Sequence, residues 1–331
     1  PFVLRDYPLR DVRAGEALVR VSMSTICRSD IHSYEGLRPN PSPGILGHEI
    51  VGVVEQLGAD IDCDLRGAPL AEGDRVTWTE YFWSDDLYFR DVLSMHQKTS
   101  GLRKYGHESA DTEPHLLGGF AEYCYLLPST GILNLPDEMT DKEAAPINCG
   151  AATMISVCEA CLLEIGDVVV VHGLGLLGLY ACAIARARGA RQIIGLDAVP
   201  ARVDLARSFG ADEAINVAEL SNNDLITRVR ALTASRGADV VIEVCGVPAV
   251  VPVGINMLRV GGRYTLGGLV NPGATFPLDG NDLVRKWITL RGVHSYHPRH
   301  LLQALEFVMS QRDRFPFDSL VDAVFTLDQI D

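Results

Sequence analysis

The stretch from Val168 to Gly178, VVVVHGLGLLG, decides the fold of this chain. Its first five residues, four valines and a histidine, are typical of a strand buried on both faces of a parallel sheet. The next six residues have the spacing G-x-G-x-x-G. Glycines at this spacing allow a tight turn after a strand, a close approach of the backbone to a pyrophosphate and tight packing of the following helix. The stretch therefore predicts a strand, a dinucleotide-binding loop and a helix.

The glycine motif alone also occurs in ordinary turns. The residue that ends the next apolar run helps to decide whether the loop binds a dinucleotide. It ends at Asp197, where a carboxylate can accept hydrogen bonds from both ribose hydroxyls of NAD and would repel the 2′-phosphate of NADP. The alternative interpretation of Asp197 is a helix N-cap without a ligand. Arg202 either reaches the adenosine ribose or is solvated. We predict NAD as cofactor, with these contacts: Gly173, Gly175, Leu176, Leu177, Gly178, Asp197 and Arg202.

On either side of this motif, the chain shows two different patterns of predicted secondary structure. Residues 146–290 alternate apolar runs such as 239–244 with helical patterns such as 179–187 and 201–209, which predicts a doubly wound parallel sheet, the Rossmann arrangement. Residues 1–145 carry short β-rich runs broken by Gly and Pro, which indicate a partly open β-barrel. We expect 291–331 to return to this first domain, with a last helix at 301–309.

Composition favours a two-domain protein with a small-molecule ligand. A length of 331 residues exceeds the size at which one hydrophobic core stops growing, and 47% of the residues are hydrophobic. The net charge of −14 argues against nucleic acid or an anionic membrane as partner. The sequence has no apolar run of roughly 18 residues and no secretory signal pattern, and its eight cysteines are dispersed. We expect a cytoplasmic protein with reduced thiols and trimmed ends.

Two thiols and an imidazole, at Cys27, His48 and Cys149, would make a three-ligand set for tetrahedral zinc. Such a set leaves the fourth position open to water or substrate, which is typical of catalytic zinc. Taken singly, each residue also has a structural explanation, since an isolated cysteine is usually a small buried hydrophobe. Spacing alone does not join ligands that lie so far apart in the chain.

Over essentially its whole length the sequence resembles the zinc-containing medium-chain alcohol dehydrogenases. The resemblance implies a GroES-like β-barrel catalytic domain beside the Rossmann domain. It rests on motifs that occur in the family's order: Cys27-Arg28-Ser29-Asp30 with His32, Gly47-His48-Glu49, Gly73-Asp74-Arg75-Val76, Gly118-Gly119-Phe120-Ala121-Glu122-Tyr123, Cys149-Gly150, the loop Gly173 to Gly178, and Asp197.

The resemblance assigns roles to individual residues. It makes Cys27, His48 and Cys149 the ligands of one catalytic zinc per chain, with Glu49 as the carboxylate behind the metal. Ser29 and His32 match the family's proton relay, and Arg28 matches the position that touches the cofactor pyrophosphate. The chain is also similar to a subgroup of phosphonate-catabolism-associated alcohol dehydrogenases and to cyclitol dehydrogenases, on the basis of short strings at 104–108 and 292–296.

The chain departs from many family members in one lobe. Those members hold a structural zinc with four closely spaced cysteines, but residues 80–104 contain no cysteine. We predict a metal-free lobe held by packing, with aromatic burial supplying the stabilisation. The aromatic residues concerned are Phe82, Trp83, Tyr88 and Phe89. Elsewhere, Cys158 and Cys161 have C-x-x-C spacing within an apolar helical segment, which favours plain packing over a metal pair.

The predicted reaction is hydride transfer between NAD and a primary or secondary alcohol, namely a polyol, a cyclitol or a phosphorylated or phosphonate alcohol. One alternative is a zinc-assisted reductase of conjugated ketones. Another is a catalytically inactive protein that only binds the cofactor. Ser29 and His32 favour an enzyme, because a protein without turnover has no need of a proton path. Family likeness further implies a homodimer or homotetramer.

Overall fold

The computed structural model describes residues 2–330 and divides them into two compact units. The first unit comprises residues 2–152, 296–310 and 317–330, and the second comprises 153–295 and 311–316. No helix within the described residues is long and apolar enough to cross a membrane. The domain boundaries given above, 145/146 and 290/291, remain predictions.

The first unit is built on an antiparallel sheet with the strand order β4-β3-β2-β1-β5, in which β6 also pairs with β3. Its helices are short except for the one near the carboxyl end. The elements are β1 (Ala17–Thr25), α1 (Arg28–Tyr34), β2 (Glu49–Leu57), β3 (Arg75–Phe82), β4 (Arg103–Lys104), β5 (Tyr123–Leu126), β6 (Thr130–Asn134) and α2 (Asp141–Ala144), with α9 (Pro298–Gln311) as the late helix.

Alternating apolar residues of these strands form one core. This core contains five residues that each expose at most 1% of their surface: Val19, Ile50, Val76, Trp78 and Tyr125. Burying a large apolar side chain stabilises a fold by about 1.5 to 3 kcal/mol, so these residues contribute much of the stability of the sheet. The predicted β-barrel domain is confirmed.

The second unit has a six-stranded, wholly parallel sheet with the order β12-β11-β10-β7-β8-β9. The chain enters at the centre with β7, moves outward to β9 and then returns to β10 on the other side, so the order reverses between β7 and β10. The elements are α3 (Ala152–Ala160), β7 (Val168–His172), α4 (Leu176–Ala187), β8 (Gln192–Asp197), α5 (Pro200–Ala206), β9 (Glu213–Asn216), α6 (Asn222–Leu232), β10 (Ala238–Glu243), α7 (Val250–Met257), β11 (Leu258–Leu266), α8 (Gly280–Lys286) and β12 (Thr289–Gly292).

This arrangement is the predicted doubly wound sheet, which places ligands at the carboxyl ends of the strands where the order reverses. All five residues of β7 are buried, as the run of valines predicts. Helix α4 begins at Leu176, three residues before the predicted start, because Gly175 serves as its N-cap. The last helix likewise begins at Pro298 rather than at 301.

Polar contacts hold the lobe between β3 and β4. The carboxylate of Asp86 accepts hydrogen bonds from the amide and the hydroxyl of Ser100, at 3.2 and 2.7 Å, and so closes the loop at its base. Arg90 lies 3.0 Å from Asp85 within the excursion. The expectation that Tyr88 stabilises the lobe by burial is wrong, because 58% of its surface is exposed. The aromatic side chain that is buried, Phe82, belongs to strand β3.

Candidate metal centre and dinucleotide site

The pairing of β1 with β2 brings two of the predicted ligands together. Thr25, the last residue of β1, lies opposite Glu49, the first residue of β2, and the Thr25 hydroxyl donates to the Glu49 carboxylate. Cys27 follows two residues after Thr25, and His48 immediately precedes Glu49. The antiparallel register therefore places a thiol and an imidazole at the same end of the sheet.

Asp30 fixes the orientation of both ligands. It is buried in the first turn of α1, and its Oδ2 accepts from the amide of Cys27 at 3.0 Å. Its Oδ1 accepts from the amide of Gly47 at 3.1 Å and from Nδ1 of His48 at 3.1 Å. Since Nδ1 carries the proton in this bond, Nε2 is the ring nitrogen left to bind a metal, and carboxylates in this position are the usual partners of ligating histidines.

Asn148 holds the third ligand against the same sheet. It precedes Cys149 in a π-helical turn, Ile147–Ala151, and its Nδ2 donates to the carbonyl oxygens of His48 at 2.9 Å and of Trp78 at 2.8 Å. The carbonyl of Asn148 accepts from the hydroxyl of Tyr296. These hydrogen bonds of Asn148 join the turn that carries Cys149 to β3 and to the backbone of His48.

These contacts gather Cys27, His48, Glu49 and Cys149 into one group of donor atoms, all within 4.8 Å of one another. Ideal tetrahedral zinc would separate two thiolate sulfurs by about 3.8 Å, so the group is of the right size for this ion. Among residues 2–330 it is the one group of three or more possible ligands that is this compact. Oε1 of Glu49 is buried and has no hydrogen-bond partner in the described chain, as expected of an oxygen that faces a cation. The residues fit zinc.

The electrostatics of the group favour ionisation of Cys27 and oppose ionisation of Cys149 and Glu49. The Cys149 thiol donates to Cys27, which lowers the pKa of Cys27 well below its usual range and raises that of Cys149. Burial raises the pKa of Glu49. Burial would also raise the pKa of Asp30, but the charge and hydrogen bond of His48 and two amide hydrogen bonds lower it below its usual range. A divalent cation would compensate the negative charge collected here.

The predicted proton relay lies beside this group. The Ser29 hydroxyl is 3.3 Å from Nε2 of His48, which is the nitrogen assigned to the metal. His32 lies one helical turn further along α1, and its Nε2 accepts from Nε of Arg28 at 3.1 Å. Ser29 therefore lies beside the donor group, and Arg28 and His32 form an exposed hydrogen-bonded pair on the same helix; the proton relay remains a prediction.

The glycine loop of the second unit has the expected geometry. Gly173 has φ of +96°, and a Cβ on it would lie 2.7 Å from that of Cys245. A Cβ on Gly178 would lie 1.8 Å from the Gly173 carbonyl oxygen, so α4 packs against the loop only with glycine there. Nothing lies within 4 Å of a Cβ placed on Gly175, which leaves room for a ligand over the N-terminus of α4.

Asp197 lies at the end of β8 and is buried with 8% of its surface exposed. Its Oδ2 accepts from the amide of Leu174 at 2.7 Å and its Oδ1 from that of Val199 at 2.9 Å. The alternative of a helix N-cap does not hold, because the N-cap of α5 is Val199. Arg202 is half-exposed and lies 3.8 Å from Asp197, so the structure brings these two predicted residues together near the loop.

Two functional residues were missed by sequence reasoning, Asp30 and Asn148. Asp30 stands within the quoted motif C-R-S-D, and its place as the third residue of a helix that begins after Cys27 was the available signal. Asn148 gives no signal beyond its position before Cys149. Cys158 and Cys161 are both buried, and the Cys161 thiol donates to the Cys158 carbonyl at 3.3 Å, as in helical packing.

The chain was then compared with known proteins. Residues 13–137 match the alcohol dehydrogenase GroES-like domain, and residues 177–310 match the zinc-binding dehydrogenase family. A 5-exo-hydroxycamphor dehydrogenase of Pseudomonas putida is 32% identical over 98% of this chain and 89% of its own length. The chain belongs to the zinc-binding alcohol dehydrogenase family. An L-threonine 3-dehydrogenase of Anaeromyxobacter dehalogenans is 31% identical over 87% of this chain and 79% of its own length.

Among solved structures, an alcohol dehydrogenase of Thermotoga maritima superposes on this zinc-binding alcohol dehydrogenase with a TM-score of 0.90. The two are 28% identical, and the match covers 96% of this chain and 87% of the other. The predicted oxidoreductase, and zinc and NAD as its cofactors, are confirmed at the level of the family. The alternative of a catalytically inactive binding protein has no support from these relatives, which are named as dehydrogenases.

Proposed function

We propose that this enzyme oxidises secondary or primary alcohols with NAD, or reduces the corresponding carbonyl compounds, at one catalytic zinc held by Cys27, His48 and Cys149. The observation that carries the proposal is the compact donor group, whose atoms lie within 4.8 Å of one another and which includes two thiols and an imidazole. Three such ligands leave an open coordination position, as catalysis requires.

When bound, zinc supplies Lewis-acid polarisation of the substrate oxygen, and NAD accepts the hydride. Side chains of the protein orient the ligands, move the proton and compensate the charge of the cation. Asp30 holds His48 with Nε2 toward the metal position. The Ser29 hydroxyl, 3.3 Å from that nitrogen, would accept the proton of the substrate hydroxyl at Oγ while giving up its own proton, and His32 on the same helix would pass that proton to solvent. The buried carboxylate of Glu49 lies behind the ligands and offsets the charge of the cation.

On the second unit, the amides at the start of α4 bind the pyrophosphate and Asp197 binds the adenosine ribose. Each Asp197 oxygen accepts one amide hydrogen bond and retains capacity for a second donor, which a ribose hydroxyl would supply. The 2′-phosphate of NADP would meet a buried negative charge instead. Arg202 lies on the same side as Asp197 and is assigned to the ribose, and Arg28 is assigned to the pyrophosphate.

For the substrate we propose an alcohol that carries further polar groups: a polyol, a cyclitol, or a phosphorylated or phosphonate alcohol. The relatives support a secondary hydroxyl, since they are named for 5-exo-hydroxycamphor and L-threonine, whose hydroxyl-bearing carbons are both secondary. The polar substituents rest on the short strings at 104–108 and 292–296, which resemble those of phosphonate-associated and cyclitol dehydrogenases.

We further propose that the chain forms a homodimer or homotetramer and acts in the cytoplasm. Support for self-association comes from the second unit. Strand β12 is the last strand of the parallel sheet, and beside it Val284 and Trp287 expose 78% and 81% of their surfaces. Exposed apolar side chains next to a sheet edge are typical of surfaces that pair with another copy.

The test is Cys27→Ser in the purified holoenzyme. Serine oxygen is a poor zinc ligand, so we expect zinc to fall from about one per chain to near zero and NAD reduction with alcohols to be lost, while circular dichroism stays unchanged. Cys63→Ser is the matched control, because Cys63 is exposed. A metal-free Cys27→Ser that remains active refutes the mechanism, and two zinc ions per wild-type chain refute the metal-free lobe. Turnover of conjugated ketones but not of alcohols would favour the reductase alternative.

A further inference from the structure

A buried carboxylate, that of Glu243, lies at the carboxyl end of β10 in the second unit. The residue has no exposed surface. Its Oε1 accepts a hydrogen bond from the amide of Gly246 at 2.6 Å, and its Oε2 accepts one from the amide of Gly268 at 3.2 Å. Gly246 follows β10 and Gly268 follows β11. Glu243 therefore joins two separate loops, residues 244–246 and 267–268, which we call the Glu243 loops.

The Glu243 loops approach each other backbone to backbone. Gly246 has φ of +73°, and a Cβ on it would lie 3.0 Å from the carbonyl oxygen of Gly268. A Cβ on Gly268 would lie 2.6 Å from the amide nitrogen of Gly246 and 2.7 Å from Oε1 of Glu243. Glycine at both positions leaves the space in which the carboxylate reaches both amides.

The loop after β10 also contacts the glycine loop after β7. A Cβ on Gly173 would lie 2.7 Å from that of Cys245. The amide of Val244 donates to the carbonyl of His172, the last residue of β7, at 2.9 Å. The loops at the carboxyl ends of β7, β10 and β11 are therefore in contact with one another, and Glu243 lies on the middle strand of the three.

The strand order gives these loops a place along the cofactor. In the sheet, β8 and β10 flank β7 on opposite sides. Asp197, which ends β8, is assigned to the adenosine ribose, and the loop after β7 is assigned to the pyrophosphate. A dinucleotide bound in this way continues with its nicotinamide half over the carboxyl ends of β10 and β11. The Glu243 loops lie at those ends.

Stable loops alone do not require an ionisable side chain at this place. Burial raises the pKa of Glu243, because the charged form loses its hydration there. An ionised carboxylate has two acceptor oxygens and no donor, so it can hold one amide on each loop. Glutamine has the same shape but offers only one acceptor oxygen. Ionisable groups that are buried against such a cost occur most often at functional sites.

We propose that Glu243 is a positioning residue for the nicotinamide half of the cofactor. Its carboxylate sets the spacing of the Glu243 loops, and these loops form the surface on which the nicotinamide ribose and ring lie. The inference rests on the proposed function, since it takes NAD to bind with its adenosine ribose at Asp197. Loss of the carboxylate should therefore weaken the binding of the nicotinamide half and spare that of the adenosine half.

The experiment titrates the zinc-loaded enzyme, without substrate, with two ligands: NADH, and ADP-ribose, which lacks the nicotinamide ring. The variant is Glu243→Gln, in which an NH₂ group faces one of the two loop amides. We expect the Kd for NADH to rise at least about fivefold, as the loss of one buried hydrogen bond implies, and the Kd for ADP-ribose to change by less than about twofold. The readout is the ratio of the two Kd values.

A second variant, Gly246→Ala, keeps the carboxylate but changes the spacing of the loops, because its methyl group would press on the carbonyl of Gly268. It should raise the same ratio, and it decides the question if Glu243→Gln does not fold. The matched control is Asp239→Asn. Asp239 is a buried carboxylate at the other end of β10, and its Oδ2 accepts from the amide of Val168 at 2.8 Å.

Asp239→Asn should lower the unfolding temperature, as Glu243→Gln should, but leave the ratio of the two Kd values at that of the wild type. A wild-type ratio in Glu243→Gln overturns the inference, even if both ligands bind less tightly, because a purely structural role predicts equal weakening. A ratio raised equally in Asp239→Asn also overturns it. If the wild type binds neither NADH nor ADP-ribose, the proposed cofactor fails and the inference fails with it.

Discussion

The replacement of Asp30 by Asn tests how the protein prepares its metal centre. Asp30 is 1% exposed, and its two oxygens accept three hydrogen bonds: from the amides of Cys27 and Gly47 and from Nδ1 of His48, all at 3.0 to 3.1 Å. Asparagine has almost the same shape, but one of its two acceptor atoms becomes an NH₂ donor. Whichever way the amide turns, a donor then faces a donor.

The magnitude follows from this mismatch. If the amide oxygen keeps the bonds to Gly47 and His48, its NH₂ group faces the Cys27 amide, and the unsatisfied buried donors cost about 1 to 3 kcal/mol. If it turns the other way, Nδ1 of His48 loses its acceptor and the ring is free to change tautomer. Loss of such a partner typically lowers metal affinity 10- to 100-fold, which corresponds to about 1.4 to 2.7 kcal/mol.

Two measurements check the expectation for Asp30→Asn. Competition with a chromophoric chelator should show zinc affinity lowered by about one to two orders of magnitude. Urea unfolding of the zinc-free protein should show a free energy of unfolding lowered by about 1 to 3 kcal/mol. The control is Asp137→Asn, an exposed aspartate of the same unit. Wild-type zinc affinity in Asp30→Asn would refute the role assigned to the carboxylate, even if the protein were less stable.

Two further predictions follow from other carboxylates. Asp197→Ala should lower kcat/KM for NAD at least about tenfold and reduce the preference for NAD over NADP. The control Asp204→Ala, at an exposed aspartate, should change neither quantity. An unchanged preference in steady-state kinetics of Asp197→Ala would contradict the ribose contact. Asp64 accepts three backbone amide bonds, and although burial opposes it, these bonds lower its pKa. Its stabilising effect is therefore present above the unfolded pKa near 3.9 and is lost as pH falls through the lower folded pKa. Asp64→Asn should be about 1 to 2 kcal/mol less stable at pH 7 in urea unfolding, with the difference shrinking toward pH 3; a constant difference would contradict the linkage.

The parallel sheet and the glycine loop could be predicted from the sequence because their determinants are local. A buried parallel strand needs a continuous apolar run, which β7 has in four consecutive valines. A loop at Gly173 needs a residue that tolerates φ of +96° and close neighbours. Each requirement can be read from a few adjacent residues. The helix start at Leu176 was missed because Gly175 has no capping side chain to mark it.

The donor group could be predicted only through the family resemblance. Cys27 and Cys149 are brought together by strand register and by the hydrogen bonds of Asn148, neither of which has a local sequence signature. In the lobe at residues 80–104, the sequence led to a prediction that the structure contradicts. Its aromatic content suggested burial, yet Tyr88 is mostly exposed, because a short excursion with few apolar neighbours cannot enclose it. The polar side chains of Asp86 and Ser100 close the loop instead, at distances that sequence spacing does not reveal.

The hydrogen bonds around the donor group couple the metal centre to the fold of the first unit. Asn148 joins the turn that carries Cys149 to β3 and to the backbone of His48, and Asp30 joins α1 to the same histidine. Tyr296, which comes directly after residues 153–295 of the second unit, donates a hydrogen bond to the carbonyl of Asn148 and accepts one from the amide of Glu80. A bound cation would add one more connection among segments that are already joined by hydrogen bonds. These contacts orient the predicted ligands through the fold itself, so the loss of any one of them should weaken metal binding without removing a ligand.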